Sequence, residues 1–143
     1  MGRRQWSPGD WGSRRPGMRP RVLVESSDAA EQWAMEEALR GAGYEVAVCD
    51  GPSVYGAPCP LVRQGECALA AGADVIVNGF PLGVPDNQDV IGALQERCPA
   101  TPVIVEARRH EVEKFAELLE GCQVMPFSVT TAVLLSAVRE VVP

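Results

Sequence analysis

Short apolar runs rich in β-branched residues recur along the chain, and longer stretches with apolar residues at helical spacing separate them. Such runs predict buried strands, and a spacing of three and four residues predicts helices that cover them. Strands joined by helices favour a parallel sheet, because parallel neighbours need a long crossover connection. The predicted strands are Arg21–Glu25, Tyr44–Cys49, Asp74–Asn78, Val103–Val105 and Cys122–Val124.

Capping residues mark where the helices begin. Ser26, Ser27 and Asp28 are good N-caps for the first helix, and Glu31 falls on its solvent face. The region 50–66 is rich in proline and glycine and has no periodicity, so we expect it to be irregular, with only a short helix over 66–71. Further helices are predicted over 87–97 after Asp86, through 112–119, and after Ser128.

Five strands alternating with about five helices predict an α/β fold, a five-stranded parallel sheet of order 2-1-3-4-5 with helices on both faces. In such a sheet, ligands bind outside the carboxyl ends of the strands, next to the point where the strand order reverses. The positions at which function is expected are therefore Glu25–Ser27, Asn78–Phe80 and Glu106–Arg108.

Length and composition divide the chain into two parts. Its 143 residues, 46% of them hydrophobic, are enough for one domain with a buried core. Residues 1–17 are rich in Arg, Gly and Pro and lack periodicity, which predicts a disordered basic extension. Residues 18–143 are predicted to form the domain.

The charge is unevenly distributed. The first 21 residues hold six Arg and one acid, whereas the remainder holds seven basic and eighteen acidic residues. An acidic body repels nucleic acid and anionic lipid, so we expect neither as a partner. The arginine-rich start lacks the apolar core of a signal peptide and no stretch is long enough to span a membrane, which predicts a cytoplasmic protein.

Four segments of the chain form a recognisable set: Arg21–Val24 with Gly41–Val46, Asp74–Val77 with its proline-rich loop and Asp86, Thr101–Val105, and Met125–Ser128. In this order and at this spacing, they resemble the receiver domain of bacterial response regulators over residues 18–143. The resemblance implies the flavodoxin-like fold. It also implies phosphoryl transfer to an aspartate, which needs two acids after strand 1, an acceptor after strand 3, a hydroxyl after strand 4 and a lysine before a proline.

The residues that perform this chemistry are missing. The amide of an asparagine and the hydrogen of a glycine cannot form an acyl phosphate, and Glu25 alone is a poor site for Mg²⁺. The sequence therefore resembles a degenerate pseudo-receiver that is not an enzyme and needs no cofactor. The two acids fall on Ser26 and Ser27, the acceptor on Gly79 or, with a slip of one residue, Asn78, the hydroxyl on Ala107 and the lysine on Met125.

A domain of this kind is expected to act by protein contact, through a protein partner or as a homodimer. Receivers commonly pair through the face formed by helix 4, strand 5 and helix 5. By resemblance, that face runs over Lys114–Leu119, Cys122–Met125 and Val129–Arg139.

Two other groups of residues are candidates for chemistry. Cys49, Cys59 and Cys67 lie in or beside the irregular region, and three thiols support the alternative of a metal or redox sensor, although their spacing is unlike that of metal knuckles. Arg108 and Arg109 follow strand 4, where paired guanidinium groups are suited to an anion.

Overall fold

Five parallel strands form one sheet in the order β2-β1-β3-β4-β5, which confirms the predicted fold class. The computed structural model describes residues 10–14, 17 and 19–142. Within that part of the chain, none of the helices combines the length and apolar character needed to cross a bilayer. The strands are β1 Arg21–Glu25, β2 Glu45–Cys49, β3 Val75–Asn78, β4 Val103–Ala107 and β5 Gln123–Pro126.

Helices cover both faces of the sheet. Alternate residues of a strand point to opposite faces, so Leu23 joins one apolar cluster while Val22 and Val24 join the other. The first cluster packs under the helices over 60–64, 68–72 and 85–97, and the second packs under the helices over 29–41 and 131–141. The helices are α1 Ala29–Gly41, α2 Pro52–Tyr55, α3 Pro60–Gln64, α4 Ala68–Gly72, α5 Pro85–Arg97, α6 Arg109–Lys114, α7 Ala116–Leu119 and α8 Thr131–Val141.

The region 50–66 is more regular than the sequence pattern indicates. It contains α2 and α3, and the short helix expected over 66–71 is α4. Pro52 and Pro60 are the first residues of α2 and α3, and Gly56 and Gly65 end them with φ of +67° and +77°. Proline at the first helical position and glycine after the last one are helix signals, which the sequence analysis read as loop residues.

Several predicted boundaries are wrong by a few residues. The N-cap of α5 is Val84 and not Asp86, which lies in the first turn. The N-cap of α8 is Thr130 and not Ser128, because the Thr130 hydroxyl accepts from the backbone N–H of Val133 at 3.2 Å. The helix predicted through 112–119 is interrupted at Phe115, which separates α6 from α7.

Residues 10–14 contact the folded body, although they belong to the stretch for which a disordered extension is expected. The Trp11 indole packs against the first apolar cluster, and its Nε1 donates to the carbonyl of Leu69 at 2.8 Å. Arg14 forms an ion pair with Asp74 at 3.1 Å, and the Arg21 guanidinium lies over the Trp11 ring. These contacts hold part of the predicted extension against the domain predicted over 18–143.

Candidate functional site

The carboxyl ends of β1, β3 and β4 meet at one edge of the sheet. Glu25 is the register partner of Asn78, and Asn78 is the register partner of Val105. The backbone N–H of Gly79 donates to the Glu25 carbonyl at 2.7 Å, which continues the pairing into the loop after β3. Gly79 therefore lies at the centre of the edge where the sequence analysis expects function.

A buried pair of polar side chains lies on one side of Gly79. Asn78 is fully buried, and its Nδ2 donates to Oε1 of Glu25 at 3.0 Å. The backbone N–H of Phe80 donates to Asn78 Oδ1 at 3.3 Å, which fixes the direction of the amide. Both polar ends of the Asn78 side chain are therefore hydrogen-bonded, one of them to Glu25.

Glu25 is unusually easy to protonate. Burial raises the pKa of its carboxyl to about 7, and the hydrogen bond from Asn78 only partly opposes this shift. Near neutral pH the carboxyl is therefore divided between its charged and neutral forms.

Two further carboxyl groups lie on the other side of Gly79. Glu31 comes from the first turn of α1, and Glu106 comes from β4, where it is buried among the sheet residues. A β-carbon on Gly79 would lie 2.7 Å from Oε1 of Glu31 and 3.4 Å from Oε1 of Glu106. The two acids therefore fill the space into which a side chain at position 79 would project.

The two carboxyl groups interact. Burial raises the pKa of Glu31 to about 8, and the hydrogen bond with Glu106 and the negative charges of Glu106 and Asp28 add to the shift, while a hydrogen bond with Ser26 partly opposes it. Oε1 of Glu31 is buried and has no donor among the described residues. The backbone N–H of Val129 donates to Oε2 of Glu106 at 3.3 Å.

Two small cavities lie beside this carboxyl pair, and Glu106 lines both. One, of about 190 Å³, lies between α1 and the start of α8 and is also lined by Glu31 and Thr130. The other, also of about 190 Å³, is lined by Gly79, Arg108 and His110.

The residues at the remaining positions implied by the receiver resemblance have structural contacts, in a turn or in the apolar clusters. The Ser26 hydroxyl accepts from the backbone N–H of Asp28 at 3.3 Å, and Ser27 is half-buried in the same turn. Ala107 lies in the first apolar cluster and Met125 in the second. None of these side chains, as the described structure places them, provides a carboxylate or an ammonium group at the carboxyl edge.

The cysteines do not form a metal centre in the described part of the chain, where no group of three or more His, Cys, Asp or Glu has suitable geometry. All five are free thiols. Burial raises the pKa of Cys49 and Cys67 and raises the pKa of Cys59 to about 11. These thiols stay protonated at neutral pH, and the thiolate is the form that reacts and binds metal.

Arg108 and Arg109 do not converge on one site. The Arg108 guanidinium stacks 4.3 Å from the centre of the Phe127 ring and lines the cavity beside Gly79. Arg109 is exposed at the first position of α6 and lines neither of the two cavities beside Glu106.

Glu31 was not expected at the site, because the sequence pattern places it on the solvent face of α1. Glu106 falls within the predicted positions Glu106–Arg108, although β4 was expected to end at Val105. An acid in the first turn is common because it complements the helix dipole, so Glu31 looks ordinary in sequence. The available signal is Gly79, the one position at the centre of the edge without a side chain.

Comparisons with known proteins agree with this architecture. No family model and no curated protein sequence matches the chain. Among solved structures, chemotaxis protein CheY4 of Vibrio cholerae is 15% identical with a TM-score of 0.64, and the match covers 87% of this chain and 99% of CheY4.

Two further receivers give the same result. The receiver domain of Francisella response regulator 1452 is 18% identical, with a TM-score of 0.64 and coverage of 86% of this chain and 96% of that domain. Response regulator TrrA of Thermotoga maritima, in complex with Mg²⁺ and BeF, is 14% identical, with a TM-score of 0.67 and coverage of 86% and 99%. The chain therefore has the fold of CheY-like response regulator receiver domains.

Proposed function

We propose that this chain is a phosphorylation-independent pseudo-receiver, a regulatory module that acts by protein contact and has no catalytic activity. The observation that carries the proposal is the filled space beside Gly79, where Glu31 and Glu106 lie within 2.7 and 3.4 Å of a β-carbon position. A β-carbon at position 79 would require the end of the Glu31 side chain to shift, whereas its distance to Glu106 is an ordinary contact.

The electrostatics of the site also oppose a phosphoryl group. A phosphoryl group brings further negative charge next to Glu31 and Glu106, and like charges at this distance repel strongly in a partly buried site. The position that the receiver resemblance assigns to a lysine holds Met125, which is buried in the second apolar cluster. Repulsion at the site is therefore not offset by a cation from β5.

The phosphorylation claim is tested by incubating the protein with acetyl phosphate and Mg²⁺ and measuring its intact mass. We expect no phosphoryl adduct on the wild type or on Asn78→Asp, because that variant adds a carboxyl group and leaves Glu31 and Glu106 in place. A receiver domain known to phosphorylate serves as the positive control. A stable adduct on the wild type would overturn the proposal.

The surface proposed for partners is formed by α6–α7, β5 and α8. Val133 on α8 is 37% exposed, and it borders a shallow groove of about 310 Å³ that includes Val124 and Met125. An exposed apolar side chain at the rim of an apolar groove suits contact with another protein surface. We propose that a protein partner or a second copy of the chain binds there.

Val133→Glu tests this surface against a matched control. Val62 on α3 is 38% exposed and lies on the opposite face of the sheet. We expect Val133→Glu to weaken self-association in analytical ultracentrifugation, or capture of a regulatory partner, by about tenfold or more while Val62→Glu changes neither. Equal effects of the two variants would remove α8 from the proposal.

A further inference from the structure

Glu31 and Glu106 connect three separate parts of the fold. Glu31 is in the first turn of α1, whose N-cap is Asp28. Glu106 is in β4, and its Oε2 holds the backbone N–H of Val129 in the segment between β5 and α8. The pair therefore links α1, β4 and the start of α8 around one cavity.

The link depends on a proton. With both carboxyl groups charged, the buried Oε1 of Glu31 has no donor among the described residues and faces a second anion. With one proton between them, one carboxyl donates to the other and the repulsion ends. Addition or removal of a single proton thus changes the contact from attractive to repulsive.

The charged groups around the pair do not neutralise it. Asp28 faces Glu31 from the same helix, and its charge disfavours the anionic form of Glu31. Glu25 lies across Gly79 and is bound to Asn78. The basic groups that share a cavity with Glu106 are Arg108, stacked on Phe127, and His110. The Ser128–Thr131 segment adds only uncharged groups on the α8 side.

We propose that Glu31 and Glu106 form a proton-sharing pair that holds the first turn of α1 against β4 and the start of α8, and that loss of the proton above neutral pH opens the cavity between α1 and α8. The pair acts as a pH-sensitive switch in the fold. It requires no partner and no phosphate, so it stands or falls independently of the function proposed above.

The test follows the backbone amide signals of Val129, Thr130 and Gly79 by NMR as pH is raised from about 6 to about 9.5, across the range in which the Glu31 pKa is about 8. At Val129 and Thr130 we expect one shared transition near the middle of this range in the wild type. Gly79 also lies beside Glu25, whose pKa is about 7, so the Gly79 signal is followed in Glu25→Gln. Glu31→Gln should abolish the shared transition, because the glutamine amide donates permanently to the Glu106 carboxylate. Glu37→Gln, an exposed change on the same helix, should leave it intact.

Two other variants separate the pair from its neighbours Glu25 and His110. The transition should persist in His110→Gln and in Glu25→Gln, since neither residue belongs to the pair. Should Glu31→Gln fail to fold, ¹³C-carboxyl titration of glutamate-labelled wild type reads each carboxyl directly. Three outcomes would overturn the proposal: Val129 and Thr130 amide signals that do not change over this range, a transition of these two amides that survives in Glu31→Gln, or a Glu31 carboxyl that titrates near its ordinary value of 4.5.

Discussion

The side-chain amide of Asn78 holds two other groups in place at the carboxyl edge of the sheet. It donates to Glu25 with Nδ2 and accepts from Phe80 with Oδ1, so both of its polar ends are used in a fully buried position. A carboxylate of the same size accepts the Phe80 bond but loses the donor to Glu25. Asparagine at this position therefore stabilises the fold, because an aspartate would lose the hydrogen bond to Glu25.

Asn78→Asp should lower the free energy of unfolding at neutral pH by about 1–3 kcal/mol or more, because it places a second carboxyl against Glu25 in a buried site. The loss should shrink at acidic pH, where a proton restores the donor. Urea unfolding at the two pH values measures both effects.

The double variant Glu25→Gln/Asn78→Asp is the control for this interpretation. It exchanges donor and acceptor, since the glutamine amide donates to the new aspartate. We expect it to recover most of the stability lost in Asn78→Asp, and a purely additive loss would show that the contact between residues 25 and 78 is not the cause.

Glu31 shows which part of the site could be predicted from sequence: the strand ends could be, and the position of the Glu31 side chain could not. Strand ends can be placed from apolar runs, and this identified Asn78, Gly79 and the end of β4. Glu31 lies beside Gly79 only because α1 packs against the sheet at this place. A pattern along one chain carries no information on that contact.

At the scale of elements, α2 and α3 are too short to be predicted from the spacing of apolar residues. Helices of four and five residues complete about one turn, so they have no repeating apolar face to detect. The longer elements α1, α5 and α8 have such a face and were predicted from it. The terminal signals of α2 and α3 were present as Pro52, Gly56, Pro60 and Gly65.

Gly51, the N-cap of α2, tests how tightly this region is held. Its φ is +89°, and a β-carbon there would lie 2.6 Å from the buried ring of Phe80. Gly43 has a φ of +99° with nothing within 4 Å, so it isolates the backbone strain.

Gly43→Ala should cost about 1 kcal/mol of the free energy of unfolding, and Gly51→Ala should cost about 1–3 kcal/mol more, because the Phe80 ring has to move. Denaturant unfolding of the two variants measures the difference. Equal losses would mean that the contact with Phe80 is relieved at no cost.

The contact of residues 10–14 with the domain could not be predicted from composition, because Arg and Gly surround Trp11 in the sequence. Trp11→Ala should lower the free energy of unfolding by about 1–3 kcal/mol, since it removes apolar contact and the hydrogen bond to Leu69. Trp33 is 64% exposed on α1. Trp33→Ala should be nearly neutral in the same thermal or urea unfolding assay, and a similar cost for both would contradict the docking of Trp11.

At the scale of the whole molecule, the raised pKa values of Glu25 and Glu31 give the stability a definite pH dependence. Both carboxyl groups hold their protons more tightly in the folded chain than at the ordinary value of 4.5. Unfolding therefore releases protons, and the free energy of unfolding falls as pH rises from about 4.5 through about 8 and then levels off.

Urea midpoints at pH values of about 5, 7 and 9 check this direction, which is opposite to that of a protein stabilised by ion-paired acids. Glu25→Gln and Glu31→Gln should each flatten part of the curve. A midpoint that rises over the interval would show that these acids are not buried in the way described.

The alternation of strands and helices predicts a parallel sheet, and the observed strand order is the one expected for the flavodoxin-like fold. The proposed loss of the phosphoryl-transfer residues rests only on residue identity at the strand ends. The contact of Glu31 and Glu106 beside Gly79 could not be predicted, since the two acids come from separate elements.

The most direct test of a phosphate-independent receiver is a titration with Mg²⁺ and beryllofluoride, a mimic of the phosphoryl group, followed by the amide signals of Asn78, Gly79 and Glu106. With the carboxyl pair in place and Met125 where a lysine is expected, these signals should not change beyond the effect of added salt. Saturable shifts confined to these three residues would mean that the site still accepts a phosphoryl group, and would contradict the account.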